Sequence, residues 1–451
     1  MGCILKIVIA GAGEVGFNLA RHLVENGYDV TLIDKDKDRI KYVNEHLDCF
    51  VVEGEVTNYE LLKSINVDDA SFFIAVTDSD EVNMISCLIV NSNFSVDTKI
   101  ARVRNIDYHK INLFDKKIAG FDYLINPEVE AAKSIIRAVE YGAVSDIFVF
   151  DDTDIQLREV FVDDDVNIAG KTLETIRKKS NIPFVVAGIF NENNFLIPAG
   201  KYEVKRGDHL FVVGSRGDLD HLFSHIGLKR RKIKSVLIAG GGKIQRLVID
   251  GLISKGREII VIEKDYEKSK KLAEMFPDVL VLNSDISDES LLEEEDLNSK
   301  DLIITATDND EINILSASYY KSIGVKRAIA LIDKNNYLHM ASGLGIDICI
   351  SPKLSAVNAI LKYIKRGNIL NVYSIFNGKA EAIEFLLKPG TDLEGLRIKE
   401  CPIPKDSVIV AVNRDGKSYI PDGNFVFKSG DIVITFALKD AIKDIEELFV
   451  E

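Results

Sequence analysis

The sequence predicts an α/β protein with two Rossmann-like, doubly wound parallel-sheet domains, each followed by a small α+β domain. Three observations carry this. Lys6-Ile7-Val8-Ile9-Ala10-Gly11-Ala12-Gly13-Glu14-Val15-Gly16 returns as Ser235-Val236-Leu237-Ile238-Ala239-Gly240-Gly241-Gly242-Lys243-Ile244-Gln245, 229 residues further on. Around each copy, short β-rich runs alternate with helical stretches, the pattern of a parallel sheet covered on both faces. After each comes a block of short apolar runs broken by Gly-Asp and Pro turns, such as Arg206-Gly207-Asp208 and Ser429-Gly430-Asp431, which reads as a small β-rich domain.

In the first half the pattern predicts strands over 5–10, 29–33, 49–53, 71–77, 98–103 and 122–125. Helices are predicted over 14–26, 38–46, 58–65, 80–92, 106–115 and 128–140. The repeat extends past the glycines. Asp34 and Glu263 each stand 23 residues after the first glycine of their turn. Thr77-Asp78-Ser79-Asp80-Glu81-Val82-Asn83 returns as Thr307-Asp308-Asn309-Asp310-Glu311-Ile312-Asn313, and Ile125-Asn126-Pro127 as Ile350-Ser351-Pro352. The expected domains are therefore 1–143, 144–228, 232–366 and 367–451, in the order large, small, large, small.

The glycine turn has a chemical purpose. Gly11 permits a tight turn out of the strand, Gly13 lets a phosphate approach the backbone, and Gly16 lets the helix pack close to the sheet. The N-terminus of the helix then offers unpaired N–H groups and partial positive charge to a pyrophosphate. Asp34, at the tip of the second strand, can accept hydrogen bonds from both ribose hydroxyls, and its charge disfavours a 2′-phosphate. NAD is therefore expected over NADP.

The second turn departs from this pattern. Gly240, Gly241 and Gly242 remain, but Lys243 replaces Glu14 and Gln245 stands at the third glycine, which threatens the close packing of helix on strand. The acidic segments end strands at the carboxyl edge of the sheet, where doubly wound folds bind ligands, while Asp80 and Asp310 can equally serve as helix caps. Arg102 ends the next strand within reach of a phosphate; its counterpart is Leu331.

Composition narrows the remaining classes. A net charge of −15 opposes general nucleic-acid binding, which draws on Lys and Arg against phosphates. The basic run Lys229-Arg230-Arg231-Lys232 reads as a solvated linker. No apolar stretch approaches the ~20 residues of a membrane span, and no signal-peptide pattern opens the chain, so a cytoplasmic protein is expected, with any membrane role peripheral. Cys3, Cys49, Cys87, Cys349 and Cys401 lie far apart and read as small core residues. The acidic clusters Asp151-Asp152-Thr153-Asp154 and Asp163-Asp164-Asp165 lack the spacing of a calcium loop, so no metal is expected.

A dehydrogenase on this fold needs a general acid or base facing the nicotinamide. His22 and His46 lie on predicted helices; His209, His221 and His225 lack a carboxylate partner at a telling spacing; His109 and His339 begin matching helices. No catalytic residue is assigned. The alternatives left open are a soluble NAD-dependent dehydrogenase with a degenerate second unit, or a regulator of a different cation transporter.

The tandem glycine turns, the acidic residue after each and the Thr-Asp-x-Asp-Glu-x-Asn segments, each half closed by a small β-rich domain, resemble the TrkA family. These are cytosolic regulatory subunits of Trk-type potassium uptake systems, built from tandem RCK modules. The resemblance covers essentially the whole chain. It implies a non-enzymatic protein that binds NAD(H) and ATP or ADP, assembles into a ring, and gates a Trk-type integral membrane potassium channel subunit from the inner face of the membrane. A tetramer follows if the ring needs eight modules. It places the first site on Gly11, Ala12, Gly13, Glu14, Val15, Asp34, Thr77, Asp78 and Arg102. The second falls on Gly240, Gly241, Gly242, Lys243, Ile244, Glu263, Asp285, Thr307 and Asp308. Glu55, rather than the family's Asp, follows the third strand, whereas Asp285 keeps it in the second half.

Overall fold

The computed structural model of the chain describes residues 5–450 apart from 106–107, 109–119, 141–146, 151–152, 163–165, 192–193, 228–232, 289–290, 292–295, 365–367 and 376–378. Cys3, His109, Asp151, Asp152, Asp163 to Asp165, the basic run Lys229 to Lys232 and most of the helix expected over 106–115 lie outside the described residues. Two compact units form. One takes in Met1–Ser134, Ile332–Asn335 and Ile350–Ile364; the other takes in Ile135–Leu331, Asn336–Cys349 and Lys365–Glu451.

The first half opens with strands β1 (Lys6–Ala10), β2 (Asp29–Asp34), β3 (Phe50–Glu53), β4 (Phe72–Ala75), β5 (Thr98–Arg102) and β6 (Tyr123–Ile125). They pair in parallel in the order β3-β2-β1-β4-β5-β6. Ile7, Val8, Ile9 and Ala10 are all fully buried, because helices cover both faces of a parallel sheet and leave no polar side. The helices are α1 (Glu14–Glu25), α2 (Lys37–His46), α3 (Tyr59–Ser64), α4 (Asp80–Asn93) and α5 (Pro127–Glu140). Val15, Leu19 and Leu23 recur every four residues and form the buried stripe of α1. Asp36 and Ser79 cap α2 and α4 by accepting backbone N–H groups of the first turn. Strand order reverses between β1 and β4, which opens a crevice above their carboxyl ends.

The second half repeats this plan. Strands β12 (Ser235–Ala239), β13 (Glu258–Ile262), β14 (Leu280–Leu282), β15 (Leu302–Thr305), β16 (Arg327–Leu331) and β17 (Ile348–Ile350) order as β14-β13-β12-β15-β16-β17. Its helices α8 (Lys243–Ile253), α9 (Tyr266–Met275), α10 (Asp310–Ser322), α11 (Asn335–Gly343) and α12 (Pro352–Leu361) follow in sequence.

The final helices cross between halves. In the first unit α12 packs on α1, with Ala356, Val357 and Ile360 in one core with Leu19, Leu23 and Ile125, and the Tyr123 and Tyr363 rings stack at 3.8 Å. In the second unit the end of α5 meets α8: a Cβ on Gly251 would lie 2.4 Å from Ile136 Cδ1, and Glu140 ion-pairs with Lys255.

The small domains are antiparallel. The first contains β7 (Ile147–Val149), β8 (Ile155–Phe161), β9 (Val185–Asn191), β10 (Asn194–Leu196) and β11 (His209–Ser215), with helices α6 (Leu173–Ser180) and α7 (Arg216–His225). The second contains β18 (Ile369–Ile375), β19 (Ala380–Leu386), β20 (Ser407–Arg414), β21 (Lys417–Tyr419) and β22 (Ile432–Leu438), with α13 (Ile442–Val450). Their orders, β10-β9-β11-β8-β7 and β18-β19-β22-β20-β21, are the same arrangement read from opposite edges. The Gly-Asp turns do more than reverse the chain. Asp208 and Asp431 are fully buried; Asp431 accepts both Arg414 Nε (2.6 Å) and Nη2 (2.7 Å), and Asp208 accepts the Lys205 N–H and the Tyr202 hydroxyl.

One apolar face of each small sheet meets the other in a shared core that includes Phe150, Leu157, Phe211, Ala382, Val410 and Phe436. Gly188 allows this contact, since a Cβ there would lie 2.4 Å from the Phe195 ring and 3.0 Å from that of Phe436.

Three details differ from expectation. Of the cysteines, Cys87 is buried, but Cys49, Cys349 and Cys401 are half-buried. His209 does have a carboxylate partner, Glu159, reached across the β8–β11 ladder rather than along the chain. Thr77, the last residue of the strand expected over 71–77, lies beyond the end of β4.

Gly188→Val is expected to destabilise the chain by about 1–3 kcal/mol through overpacking between the small sheets, measured as a lower denaturation midpoint with an unchanged slope.

Candidate functional site

The first site is built above the carboxyl ends of β1, β2 and β4. Gly11 has φ +109°, a conformation glycine alone adopts readily, and a Cβ there would meet Thr77 N at 2.9 Å. Gly16 is more tightly constrained: its Cβ would lie 1.8 Å from the Gly11 carbonyl oxygen. This close approach starts α1 directly against the turn, with Gly13 at its N-cap and no side chain capping it. The free N–H groups there are suited to an anion.

Asp34 closes the turn from the side. Its Oδ2 accepts the Ala12 N–H at 2.6 Å and its Oδ1 accepts that of Asp36 at 2.9 Å. The carboxylate is thus fixed in a buried position before any ligand arrives.

Three arginines gather around Asp78, and one of them also reaches Asp34. Arg39, on the first turn of α2, places Nη2 3.2 Å from Asp78 and Nη1 3.8 Å from Asp34, and a Cβ on Gly13 would lie 3.5 Å from its Nη1. Arg102 is buried; its Nη2 donates to the Thr77 carbonyl at 2.8 Å and reaches Asp78 at 3.4 Å. Its Nε has no hydrogen-bond partner among the described residues. Arg104 Nη2 donates to the Asp78 carbonyl at 3.0 Å. Burial works to raise the Asp78 carboxyl, but the hydrogen bond and charge of Arg39, followed by the charge of Arg102, outweigh it and hold it below the usual carboxylate range. Burial, then Arg104, pull the Arg102 guanidinium down from its ordinary value.

The Thr-Asp-x-Asp-Glu-x-Asn segment divides into parts with separate tasks. Asn83, fully buried, accepts the Thr77 N–H (2.8 Å) and hydroxyl (2.7 Å) on Oδ1 and donates from Nδ2 to the carbonyls of Thr77 (3.0 Å) and Arg102 (2.8 Å). Asn313 makes the same set with Thr307 and the Leu331 carbonyl. Both asparagines pin the ends of neighbouring strands together, so the Thr77 and Thr307 hydroxyls point into the protein. Asp80 accepts the N–H groups of Arg104 and Asn105, which leaves Asp78 as the acidic group facing the crevice.

Glu14 is half-exposed and pairs with Lys353 at 2.7 Å, a residue of the second half carried into this unit on α12. Val15 is buried beneath the turn.

The second site keeps the frame and changes its contents. Gly240 has φ +100°, and its N–H donates to Ile262 as that of Gly11 does to Ile33. Glu263 is buried and accepts the Asp265 N–H on Oε1 at 2.8 Å. Its extra methylene brings Oε2 to within 2.8 Å of a Cβ on Gly241, so Glu263 with Gly241 replaces Asp34 with Ala12. Gln245 resolves the missing third glycine: its Nε2 donates to the Ala306 carbonyl, and its amide lies within 2.9 Å of where Cβ atoms on both Gly240 and Gly242 would be. The space under the turn is filled by this side chain. Leu331 and Lys268 stand where the first site has Arg102 and Arg39. Asp285 accepts the Ser287 N–H and hydroxyl, and these bonds hold its carboxyl below the usual range. Lys243 and Asp308 are exposed, and Ile244 is buried.

Sequence reasoning named the glycines, Asp34, Asp78 and Arg102, which the structure brings together. It missed Arg39, whose position on the first turn of the helix after Asp34 was the available signal, and Lys353, which no local motif marks. Among the described residues no group of three metal-ligating side chains could hold an ion, and no helix is long and apolar enough to cross a membrane.

A doubly wound sheet with a buried, hydrogen-bonded carboxylate beside a helix N-terminus defines a nucleotide-binding class of protein, here in tandem. The TrkA-N domain family matches residues 7–127 and 236–352, and the TrkA-C domain family matches 157–227 and 382–450. The chain belongs to the TrkA family along its whole length. It is 33% identical to the Trk system potassium uptake protein TrkA of Halomonas elongata, covering 99% of this chain and 98% of that one. It is 32% identical to Trk system potassium uptake protein TrkA homolog 2 of Methanosarcina mazei, over 99% and 100%. Among solved structures, the GsuK RCK domain superposes with TM-score 0.58 at 18% identity, covering 99% of this chain and 95% of that one. The GsuK channel bound to NAD gives 0.58 at 19%, covering 99% and 79%. These establish the RCK fold. The dehydrogenase alternative falls away, since the full-length relatives are transport proteins.

Asn83→Ala is expected to cost about 2–3 kcal/mol by stranding buried strand-end groups, read by thermal unfolding. Because the folded carboxyl of Asp78 is depressed, its contribution to stability is present above the ordinary carboxylate range and fades as pH falls through the folded value. Asp78→Asn should therefore flatten the acid side of the stability profile, measured by denaturation between neutral and acid pH.

Proposed function

We propose that this chain is the cytosolic, peripheral regulatory subunit of a Trk-type potassium uptake system. It forms a ring, a tetramer if eight modules close it, beneath an integral membrane channel subunit, and gates that subunit when a nucleotide binds. The four domains 1–143, 144–228, 232–366 and 367–451 are its working parts. The reading rests on full-length relatedness to Trk potassium uptake proteins, together with an intact first site.

The principal nucleotide is NAD(H), seated on Gly11, Ala12, Gly13, Glu14 and Val15, with Asp34 on the ribose. ATP or ADP is the second ligand class. Arg39, Arg102 and Arg104 supply positive charge for phosphates, and the unpaired Arg102 Nε is a donor within that array. The site on Gly240 to Ile244, Glu263, Asp285, Thr307 and Asp308 is altered: Gln245 fills its turn and no arginine faces it from β16. It binds the same ligands more weakly or takes a different one.

Regulation needs no reaction. A nucleotide that binds one arrangement of the modules better than another shifts the population by its differential affinity, and coupling of ~1–3 kcal/mol is typical.

Asp34→Ala and Gly13→Asp are expected to weaken NADH binding by about 10- to 100-fold by calorimetry and to abolish nucleotide-dependent potassium uptake in cells carrying the membrane partner. Unchanged uptake with lost binding would move the chain to another cation transporter, to be found by pull-down from membranes.

A further inference from the structure

Each half contributes a nearly equivalent apolar surface to the exchanged helices. Ala131 and Ile135 of α5 match Ala356 and Ile360 of α12 by position, and all four are fully buried. Hydrophobic packing is non-directional, so these faces do not determine whether a first module pairs with a second or with another first. The charges do. In the first unit Lys353 of α12 pairs with Glu14 at the start of α1, at 2.7 Å. At the matching positions the signs are reversed: Lys243 stands where Glu14 does, and Glu128 follows Pro127 as Lys353 follows Pro352.

We propose that this sign reversal is a pairing code that restricts helix exchange to unlike modules, the pair within one chain being favoured further by its high local concentration. Pairing two first modules would set Glu14 against Glu128; pairing two second modules would set Lys243 against Lys353. Either places like charges where the observed unlike pair carries opposite ones.

A second ion pair and one steric fit have the same bias. Glu140 of α5 pairs with Lys255, whose counterpart in the first half is Asn26. Ile136 packs against Gly251, whose counterpart is the larger His22. Two first modules would lose both contacts. Because the Glu14–Lys353 pair is partly exposed, its effect is on choice of partner more than on overall stability, and it weakens with salt.

The test uses two full-length chains, differently tagged and co-expressed. One carries Tyr123→Cys and the other Tyr363→Cys, so that a short bismaleimide joins them only when α12 of one chain docks on the first module of the other. Linked peptides are identified by mass spectrometry. With native charges, little interchain product is expected, whereas a single chain carrying both cysteines should link to itself.

Adding Glu14→Lys to the first chain and Lys353→Glu to the second leaves like charges within each chain and opposite charges between them. Interchain product should then rise by about three- to tenfold at low salt and return toward the native level in 1 M salt. Equal interchain product with native and reversed charges would overturn the proposal. If either reversed chain fails to fold alone, the co-expressed pair still decides, because exchange is the only arrangement that satisfies both reversed charges.

Discussion

The first site depends on how closely α1 begins to β1. At Gly16 there is no room for even a methyl group beside the Gly11 carbonyl. That contact fixes the axis of α1, leaves its first N–H groups open at the crevice, and sets Ala12 where its N–H meets Asp34. Remove the constraint and the helix must retreat or the turn must be refilled. The second half shows the latter, with Gln245 folded under the turn and bonded to Ala306.

Two further devices hold the frame. Asn83 and Asn313 tie two neighbouring strand ends on one side of the crevice, those of β4 and β5 in the first half and of β15 and β16 in the second. The charges above it differ: Arg39, Arg102 and Arg104 gather around Asp78 in the first half, while the second has Lys268 and Leu331 at the first two of those positions. A shared plan with a refilled turn and an unequal charge lining distinguishes the two halves, and it makes the first the stronger candidate for reading nucleotide.

Most of the fold was legible in the sequence. Strands with both faces buried appear as continuous apolar runs, and helices declare themselves through caps such as Asp36 and Ser79. The place of Asp34 beside the turn was legible too, because it follows from its distance to the first glycine. What escaped depends on contacts distant along the chain. His209 meets Glu159 only through the pairing of β8 with β11. Lys353 meets Glu14 only because α12 packs on α1, and Gln245 read as damage because its amide partner is Ala306, just past the end of β15. The hydroxyls of Thr77 and Thr307 bond buried asparagines whose role no spacing rule revealed.

The two equivalent-looking sites are unequal. Calorimetric titration of the full-length chain with NADH, alongside Gln245→Gly, tests it most directly. The expected result is one strong site per chain, abolished by Asp34→Ala, with Gln245→Gly strengthening the second site but leaving it weaker than the first, because Leu331 and Lys268 still line it. Two equal sites in the unmodified chain, or strong binding that survives Asp34→Ala, would contradict it.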